Sequence, residues 1–317
     1  MHLGNGALTP ECCLITWGAA ATGLGIAATA LRHEKITIDR ALAAGGLTAA
    51  VFAAQMFNVQ VLPQAVSGHF LGGALLCWTL GPAWGSTLMS LVLLVQALVL
   101  GDGGLSAWGA NVINMALLPA GLTWLARRSL AADSSKLTEG LTLAGISAGA
   151  VVGAALLVVL EVAIGRFDLL GEIGAFGGAM VVNHLVIAIA EAGLTVGLIA
   201  LLQAAELTSL PSSISAERLR AAGAMLLAMG LVALAISFGS PLPDGFEAAS
   251  GALGNALTIQ SAGSIASIEE SQAAISALFS NVLAGDWGVA IAATLFVAIV
   301  APLLSLVRMP RDEASAA

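Results

Sequence analysis

The chain has 317 residues, of which 58% are hydrophobic and only 9% are charged, and its mean hydropathy is +0.97. Because a soluble domain carries about 25% charged residues, this composition argues against a soluble protein and predicts one that lies mostly in lipid. The formal net charge of −8 argues against nucleic acid as a partner, since that partner requires a basic face.

Nine apolar stretches predict membrane-spanning helices, each of which needs about 20 mostly apolar residues. In chain order they are 10–31, 42–62, 68–82, 84–101, 107–126, 140–164, 178–203, 221–239 and 286–307. The third is short, and its separation from the fourth depends on Gly81-Pro82. An irregular or re-entrant stretch near 58–68 would shift these limits without changing the number of helices. We therefore predict an all-α, polytopic membrane protein.

The predicted helices fall into two groups on either side of a cytoplasmic linker at 206–220. Residues 1–205 hold seven spans, and 221–317 form a two-helix hairpin with a long external loop at 240–285. This loop is rich in Gly, Ser and Ala and contains Asp and Glu but no Lys or Arg. Such a loop either raises the local concentration of cations or is simply solvated.

The basic residues predict the orientation of the chain. With the N-terminus outside, ten of the eleven Lys and Arg residues fall on the cytoplasmic side and only Arg166 falls outside, which is a strong positive-inside signal. The segments 1–9, 58–67, 101–106, 165–177 and 240–285 then share the external side. Because no Lys or Arg precedes Arg32, we expect no secretory signal and expect Met1 to remain the N-terminus.

His2 follows a free amine, which gives the start of the chain a possible role in metal binding. The amine, the amide nitrogen of residue 2 and its imidazole are able to chelate one ion through fused five- and six-membered rings. Planar nitrogen ligation favours Ni(II) or Cu(II), with Co(II) possible. The alternative is that His2 belongs to a disordered tail.

His69 lies at the outer end of a predicted span, on the same side of the membrane as His2. Ionisable residues in spans are costly and are candidates for function, and the glycines of "SGHFLGG" (67–73) allow close approach of the backbone. We therefore predict a joint metal site of Met1, His2 and His69. Because it requires neutral imidazole and amine groups, we expect weaker binding as pH falls.

Several polar residues near these external segments are predicted to support that site. They are Asn58, Ser67, Asp102, Asn111 and Asn114. Asn111 and Asn114 lie three apart on one helix face, where their amides could hold the N-terminal segment by hydrogen bonds. A turn with ordinary polar packing contacts is the alternative for these residues.

Two further patterns leave alternatives open. His184 and Glu191 are two helical turns apart on one face, which fits a proton path, a second metal site or a buried contact between helices. Gly46, Ala50 and Ala54 give the second span a face of small residues that permits close helix contact, either with a partner membrane subunit or within the chain.

Enzyme and nucleotide-binding motifs are absent from the sequence. It contains no HExxH and no P-loop, and its GxSxG string at 145–149 lies within a predicted apolar span rather than at a strand-to-helix elbow. A transporter driven by ATP would therefore need its ATPase from another chain.

Four blocks of the sequence resemble a known family. They are Met1-His2, "FAAQMFN" (52–58), "SGHFLGGAL" (67–75) and "GDGGLSAWGANVINM" (101–115). Over about 1–205 the chain resembles the cobalt/nickel substrate-binding (S) components of energy-coupling-factor (ECF) transporters, called CbiM or NikM. The segment "PLPDGFE" (241–247) resembles the PDGLE segment that is often fused to these components or encoded beside them.

The resemblance implies a seven-helix S component in a bacterial or archaeal plasma membrane, with its N-terminus tucked into the bundle from outside. It implies Ni(II) or Co(II) as the transported substrate, held by the Met1 amine, the His2 amide and imidazole, and His69, with no organic cofactor. The implied partners are a transmembrane coupling (T) subunit and ABC-type ATPases. The PDGFE segment is a hypothetical aid to metal loading or to folding of the N-terminus.

One departure from the family concerns the metal-binding N-terminus. The family usually begins Met-His-Ile-Pro-Asp-Gly, whereas residues 3–6 here are Leu, Gly, Asn and Gly. The rigid bend and the acid are lost, although Asn5 still suits a turn. Rival functions are an ATP-independent facilitator or channel and an intramembrane enzyme that uses His184 and Glu191.

Overall fold

The computed structural model describes most of the chain as helices that pack side by side. The described residues are 2–32, 34, 37–61, 66–166, 171–206, 216–251, 253, 263–282, 291, 294–295 and 298–300. The helices are α1 (Pro10–Leu31), α2 (Ile38–Gln55), α3 (Gly73–Leu80), α4 (Pro82–Val95), α5 (Trp108–Val112), α6 (Leu118–Ser129), α7 (Lys136–Gly165), α8 (Ile173–Glu206), α9 (Ala216–Phe238), α10 (Gly245–Ser250) and α11 (Gly263–Val282), with π-helical turns at Gln96–Leu100 and Ile113–Leu117 and two strands, β1 (Val59–Val61) and β2 (Val66–Gly68).

Five of the described helical stretches are long and apolar enough to cross a membrane. They are Pro10–Leu31, Pro82–Leu100, Trp108–Ser129, Lys136–Gly165 and Ile173–Leu201, and they match five of the nine predicted spans. Large apolar side chains on these helices are exposed, including Leu141, Leu160 and Ile189, as lipid-facing positions require. The last predicted span, 286–307, lies largely outside the described residues.

The region from 42 to 82 differs from its prediction. Helix α2 ends at Gln55, and β1 and β2 follow as an antiparallel pair in which Val59 faces Gly68 and Val61 faces Val66. The all-α prediction is therefore wrong here, because β-branched valines favour a pleated strand. Helix α3 begins at Gly73 rather than at 68 and has only eight residues, while Gly81-Pro82 separates α3 from α4 as predicted.

The C-terminal region also departs from the predicted boundaries. Helix α9 begins at Ala216, inside the range 206–220 given to the linker, while residues 207–215 lie outside the described part. The external stretch 240–285, predicted as a loop, contains α10 and α11.

Small residues bring α2 and α9 into close contact. Ala49, Ala50 and Ala53 of α2 form one buried cluster with Ala228 and Val232 of α9. Contact within the chain, the second alternative for the small-residue face, thus accounts for Ala50. Gly46 is also buried and Ala54 is partly buried against the main core.

One end of the helix bundle gathers segments that are far apart in sequence. Residues 2–9 contact the loop 101–107, and residues 240–247 contact 58–68. The sequence predicted that these segments share a side of the membrane. Their contacts place them at one end of the bundle, which we call the site end.

Candidate metal centre

The N-terminal segment, residues 2–9, is buried in the site end although it has no regular secondary structure. Leu3 is fully buried. The Asn111 amide holds its backbone on both sides: Leu3 N–H donates to Asn111 Oδ1 over 2.9 Å, and Asn111 Nδ2 donates to the Leu3 carbonyl over 3.0 Å. Gly104 N–H donates to the same carbonyl over 2.8 Å. Both backbone polar groups of the buried Leu3 are thus paired although no strand or helix supplies the partners.

The loop 101–107 has the shape to receive this segment because of its glycines. Gly101 and Gly103 have φ of +68° and +88°, a left-handed region that favours glycine. At Gly104 the space is the constraint, since an added Cβ would lie 2.3 Å from the Asn5 backbone nitrogen. The indole N–H of Trp17 on α1 donates to the carbonyls of this loop at Leu105 and Ser106.

The imidazoles of His2 and His69 lie face to face. Their ring centroids are 5.3 Å apart and their planes differ by 13°, and both residues are buried. The two histidines that the sequence predicted as metal ligands, 67 positions apart in the chain, are therefore neighbours in space.

Asp102 is a second neighbour of His2. One carboxylate oxygen is 3.3 Å from His2 Nδ1, and the Asp102 side chain is 47% exposed. Although partial burial opposes the effect, the facing imidazole holds the pKa of the Asp102 carboxyl well below its usual range. The carboxylate is thus ionised throughout the neutral range beside the predicted metal ligand.

The segment that carries His69 is fixed by a carboxylate from α8. Both oxygens of Glu191 accept backbone hydrogen bonds of 2.8 Å, from Leu71 N–H and from Gly72 N–H. His69 Nδ1 lies 3.1 Å from the Phe70 carbonyl. Because a carbonyl only accepts, this bond places the ring proton on Nδ1 and leaves the lone pair on Nε2.

The described residues of the site end offer imidazole nitrogens as metal donors. Among the described residues no three His, Cys, Asp or Glu side chains are grouped to hold a metal. His2 Nε2 is buried with no hydrogen-bond partner. A metal held between His2 and His69 would therefore require further donors, for which the sequence proposed backbone nitrogens; Met1 lies outside the described residues.

The PDGFE segment docks beside His69 through its backbone. Ser67 N–H donates to the Pro243 carbonyl over 2.8 Å, and Ser67 Oγ donates to the Leu242 carbonyl over 2.7 Å. Asp244 then caps α10 by accepting from the backbone of Phe246 and Glu247. Ser67, predicted to support a metal, is used to hold this segment.

His184 packs against the same segment. Its Nδ1 donates to the Met180 carbonyl over 2.7 Å, and a Cβ added at Gly245 would lie 2.7 Å from its ring. His69, His184 and Asp244 line one small cavity. The bidentate bonds of Glu191 are a buried contact with another element, which fits the third alternative raised for the pair, whereas the His184 bond to Met180 lies within α8.

The remaining predicted residues differ in what they contact. Asn114 Nδ2 donates to Glu161 Oε2 over 3.0 Å, so this amide does not hold the N-terminal segment as Asn111 does. The Asn58 carbonyl accepts from Ser240 N–H over 2.8 Å, which anchors the start of the PDGFE region.

The contact between Asn5 and Gln272 in the site end was not predicted from the sequence. Asn5, noted only for its turn propensity, donates from Nδ2 to Gln272 Oε1 over 3.0 Å. Gln272 lies on α11, 267 positions away. No sequence pattern distinguishes a buried glutamine from an exposed one on a polar helix, so only the fold identifies it.

Comparison with known proteins identifies relatives of this chain. The chain matches the CbiM family model, the cobalt uptake substrate-specific transmembrane region, over residues 2–208. It is 36% identical over 159 residues to the putative fused nickel transport protein NikMN of Archaeoglobus fulgidus, which covers 48% of this chain and 52% of that protein. It is 34% identical over 150 residues to the cobalt transport protein CbiM of Roseiflexus sp., which covers 46% and 59% of the two chains.

A solved structure described as a truncated transition metal transporter has the same fold over most of its length. It superposes with a TM-score of 0.55 at 30% identity and covers 64% of this chain and 99% of that one. By contrast, the chain spans about half the length of the Archaeoglobus relative that it matches. Because the family model matches more than half of the sequence, the chain belongs to the CbiM family, as a multi-pass membrane protein with a fused C-terminal part.

Proposed function

We propose that this chain captures Ni(II) or Co(II) with high affinity outside the cell and delivers it inwards as the S component of an ATP-driven ECF transporter. The proposal is supported by the names of its relatives, which are nickel and cobalt transport proteins, and by membership of a cobalt uptake family. The metal is the transported substrate, and no organic cofactor is required.

The observation that carries the proposal is the pairing of His2 with His69. A histidine at position 2 is buried, its segment is held by the Asn111 amide, and its ring lies against a second imidazole. The His2 imidazole, its amide nitrogen and the Met1 amine supply three nitrogens, and His69 supplies the fourth. Four nitrogens in a plane suit Ni(II) and are compatible with Co(II).

The metal content of the purified full-length protein tests this assignment. We expect one Ni(II) or Co(II) per chain after incubation with either salt, and we expect His2→Ala and His69→Ala to lose it. His33→Ala is the matched control, because the sequence places that histidine in the basic cytoplasmic segment, and it should retain the metal. Stoichiometric metal in His2→Ala would contradict the proposal.

The partners are proposed as a transmembrane coupling (T) subunit and ABC-type ATPase subunits. The support is that the sequence contains no P-loop, so a process driven by ATP needs the ATPase of another chain. Reconstitution in liposomes separates this function from the facilitator. Uptake of Ni(II) should require the partner subunits and ATP, whereas uptake by the single chain without ATP would support a facilitator instead.

A further inference from the structure

Gln272 is a buried side chain that joins three separate parts of the site end. It is only 4% exposed, although it lies on α11 in the C-terminal part of the chain, outside the family match. Its Nε2 donates to the carbonyls of Ala97, over 3.0 Å, and Gly103, over 2.9 Å. Its Oε1 accepts from Leu105 N–H and from Asn5 Nδ2. These four bonds use both hydrogens of the amide NH2 group and both lone pairs of its oxygen.

These bonds fix which way the Gln272 amide faces. Two carbonyl oxygens can only accept, so they must meet the NH2 group, and the Leu105 N–H can only donate, so it must meet the oxygen. The Gln272 oxygen consequently faces Asn5, where it needs a donor. A flip of the amide would set donor against donor and acceptor against acceptor at three backbone groups.

The Asn5 amide is fixed in the same way from its own side. Its Oδ1 accepts from Ser106 N–H over 3.2 Å and from Ser106 Oγ over 3.0 Å, so its NH2 group faces Gln272. An aspartate at position 5 would keep both bonds from Ser106 but would oppose its second oxygen to Gln272 Oε1. The neutral amide at position 5 thus matches the glutamine supplied by α11.

We propose that Gln272 is a positioning residue that latches the N-terminal metal-binding segment to the loop 101–107, and that its oxygen selects a neutral amide at position 5. The inference rests on the proposed function for its metal readout. Gln272 contacts Asn5, which lies three residues after His2 in the chain. It also contacts Gly103, which follows Asp102 directly. Release of Gln272 therefore loosens both the segment that carries the metal ligand and the loop that faces it.

The docking of α11 does not depend on Gln272 alone. Ser276, one turn further along α11, donates from Oγ to the Leu98 carbonyl over 2.9 Å, and Ile265, Ile268 and Phe279 pack in or against the main core. A variant that loses the Gln272 amide therefore keeps the packing of the helix. Ser276→Ala is a matched control, since it removes one hydrogen bond from the same helix without touching the N-terminal segment.

The test compares Ni(II) affinity and Ni(II) release in the full-length protein carrying Gln272→Met, Asn5→Asp, both changes together, or Ser276→Ala. Methionine keeps the length of the side chain and removes its hydrogen bonds. We expect Gln272→Met and Asn5→Asp each to weaken Ni(II) binding about 10-fold, as loss of an outer-shell partner does, and to speed release to a chelator. Because both remove one shared bond, the double variant should be about as weak as the worse single variant, and Ser276→Ala should stay within about twofold of the unchanged protein.

Backbone hydrogen exchange of the metal-free protein gives a second readout that does not involve metal. We expect Gln272→Met to speed exchange at Leu3 and Leu105, and Ser276→Ala to leave it unchanged. Unchanged exchange and Ni(II) affinity in Gln272→Met, or single losses that multiply in the double variant, would overturn the latch. Failure of the unchanged protein to bind Ni(II) or Co(II) would instead overturn the proposed function. Hydrogen exchange at Leu3 and Leu105 would then still test whether Gln272 holds the N-terminal segment.

Discussion

The two halves of the candidate metal centre are held in different ways. The half with His2 is an irregular segment whose position depends on amides and backbone from distant parts of the chain: Asn111, Gly104 and Gln272. The half with His69 lies between β2 and α3, and one carboxylate, Glu191, holds the two peptide groups that follow Phe70. The first half is assembled by tertiary contacts, whereas the second is built on secondary structure with one external support.

This difference indicates where the centre is most sensitive. Several neutral hydrogen bonds hold the His2 half, and each is worth about 1 kcal/mol net, so this half is able to open one bond at a time. The His69 half is fixed at two ends by regular structure. We therefore expect changes in metal affinity to follow changes in the His2 half more closely than changes in the His69 half.

The largest expected effect is that of pH, which acts first on the His2 half. Metal ligands must lose their protons, and an α-amino group has an ordinary pKa of about 8, so affinity should fall at least about 1,000-fold between pH 8 and pH 5. Because the pKa of Asp102 is lowered, this carboxylate stays ionised over the whole range and adds nothing to the fall. Equal affinity at pH 5 and pH 7.5, measured by titration, would contradict the nitrogen chelate.

The next effect comes from the two asparagines on neighbouring turns. Asn111→Ala removes both bonds to Leu3 and should weaken Ni(II) binding about 10- to 100-fold, as other outer-shell losses do. Asn114→Ala removes a bond to Glu161, away from the N-terminal segment, and should have a clearly smaller effect. Titration calorimetry of the two variants checks the order, and a greater loss in Asn114→Ala would show that Asn111 does not position the site.

The third effect compares two glycines of the His2 half, Gly104, where another backbone lies close, and Gly4, where the space is open. Gly104→Ala places a Cβ 2.3 Å from the Asn5 nitrogen, whereas a Cβ at Gly4 meets nothing within 4 Å. Overpacking of this kind costs about 1–3 kcal/mol, so Gly104→Ala should weaken Ni(II) binding about 10-fold. Gly4→Ala is the matched control and should bind like the unchanged protein. Equal affinities of the two variants would show that the loop 101–107 shifts to make room for the added methyl group without disturbing the site.

The smallest effect is expected in the His69 half. Glu191→Gln turns one accepting oxygen into an NH2 group that faces a backbone N–H, which leaves a buried donor unpaired and costs about 1–3 kcal/mol of stability. Because β2 and α3 still fix both ends of the segment, Ni(II) affinity should fall only about threefold, which is less than the whole cost of the unpaired donor. Thermal unfolding and Ni(II) titration together check this, and a loss of affinity beyond that of Asn111→Ala would reverse the comparison between the two halves.

The fold was predictable where composition and periodicity carry it. Long apolar stretches identified the five described helices that are able to cross a membrane, and Gly81-Pro82 identified the break between α3 and α4. The antiparallel pair of β1 and β2 was missed because its valines were counted as part of apolar helical stretches. Helix α11 was missed because a polar helix on the site end lacks the apolar run of a span.

The sequence by itself determined the class of protein and the family resemblance, and it singled out His2 and His69 as candidate metal ligands. Hydropathy and short motifs are properties of neighbouring residues, so they can be read without the fold. It did not determine which polar groups meet. The bond between Asn5 and Gln272 joins residues 267 positions apart, and the roles of Ser67 and Glu191 depend on backbone groups of other elements. Hydrogen bonds of buried polar groups are satisfied by whatever lies beside them after folding, so only the tertiary structure decided these roles.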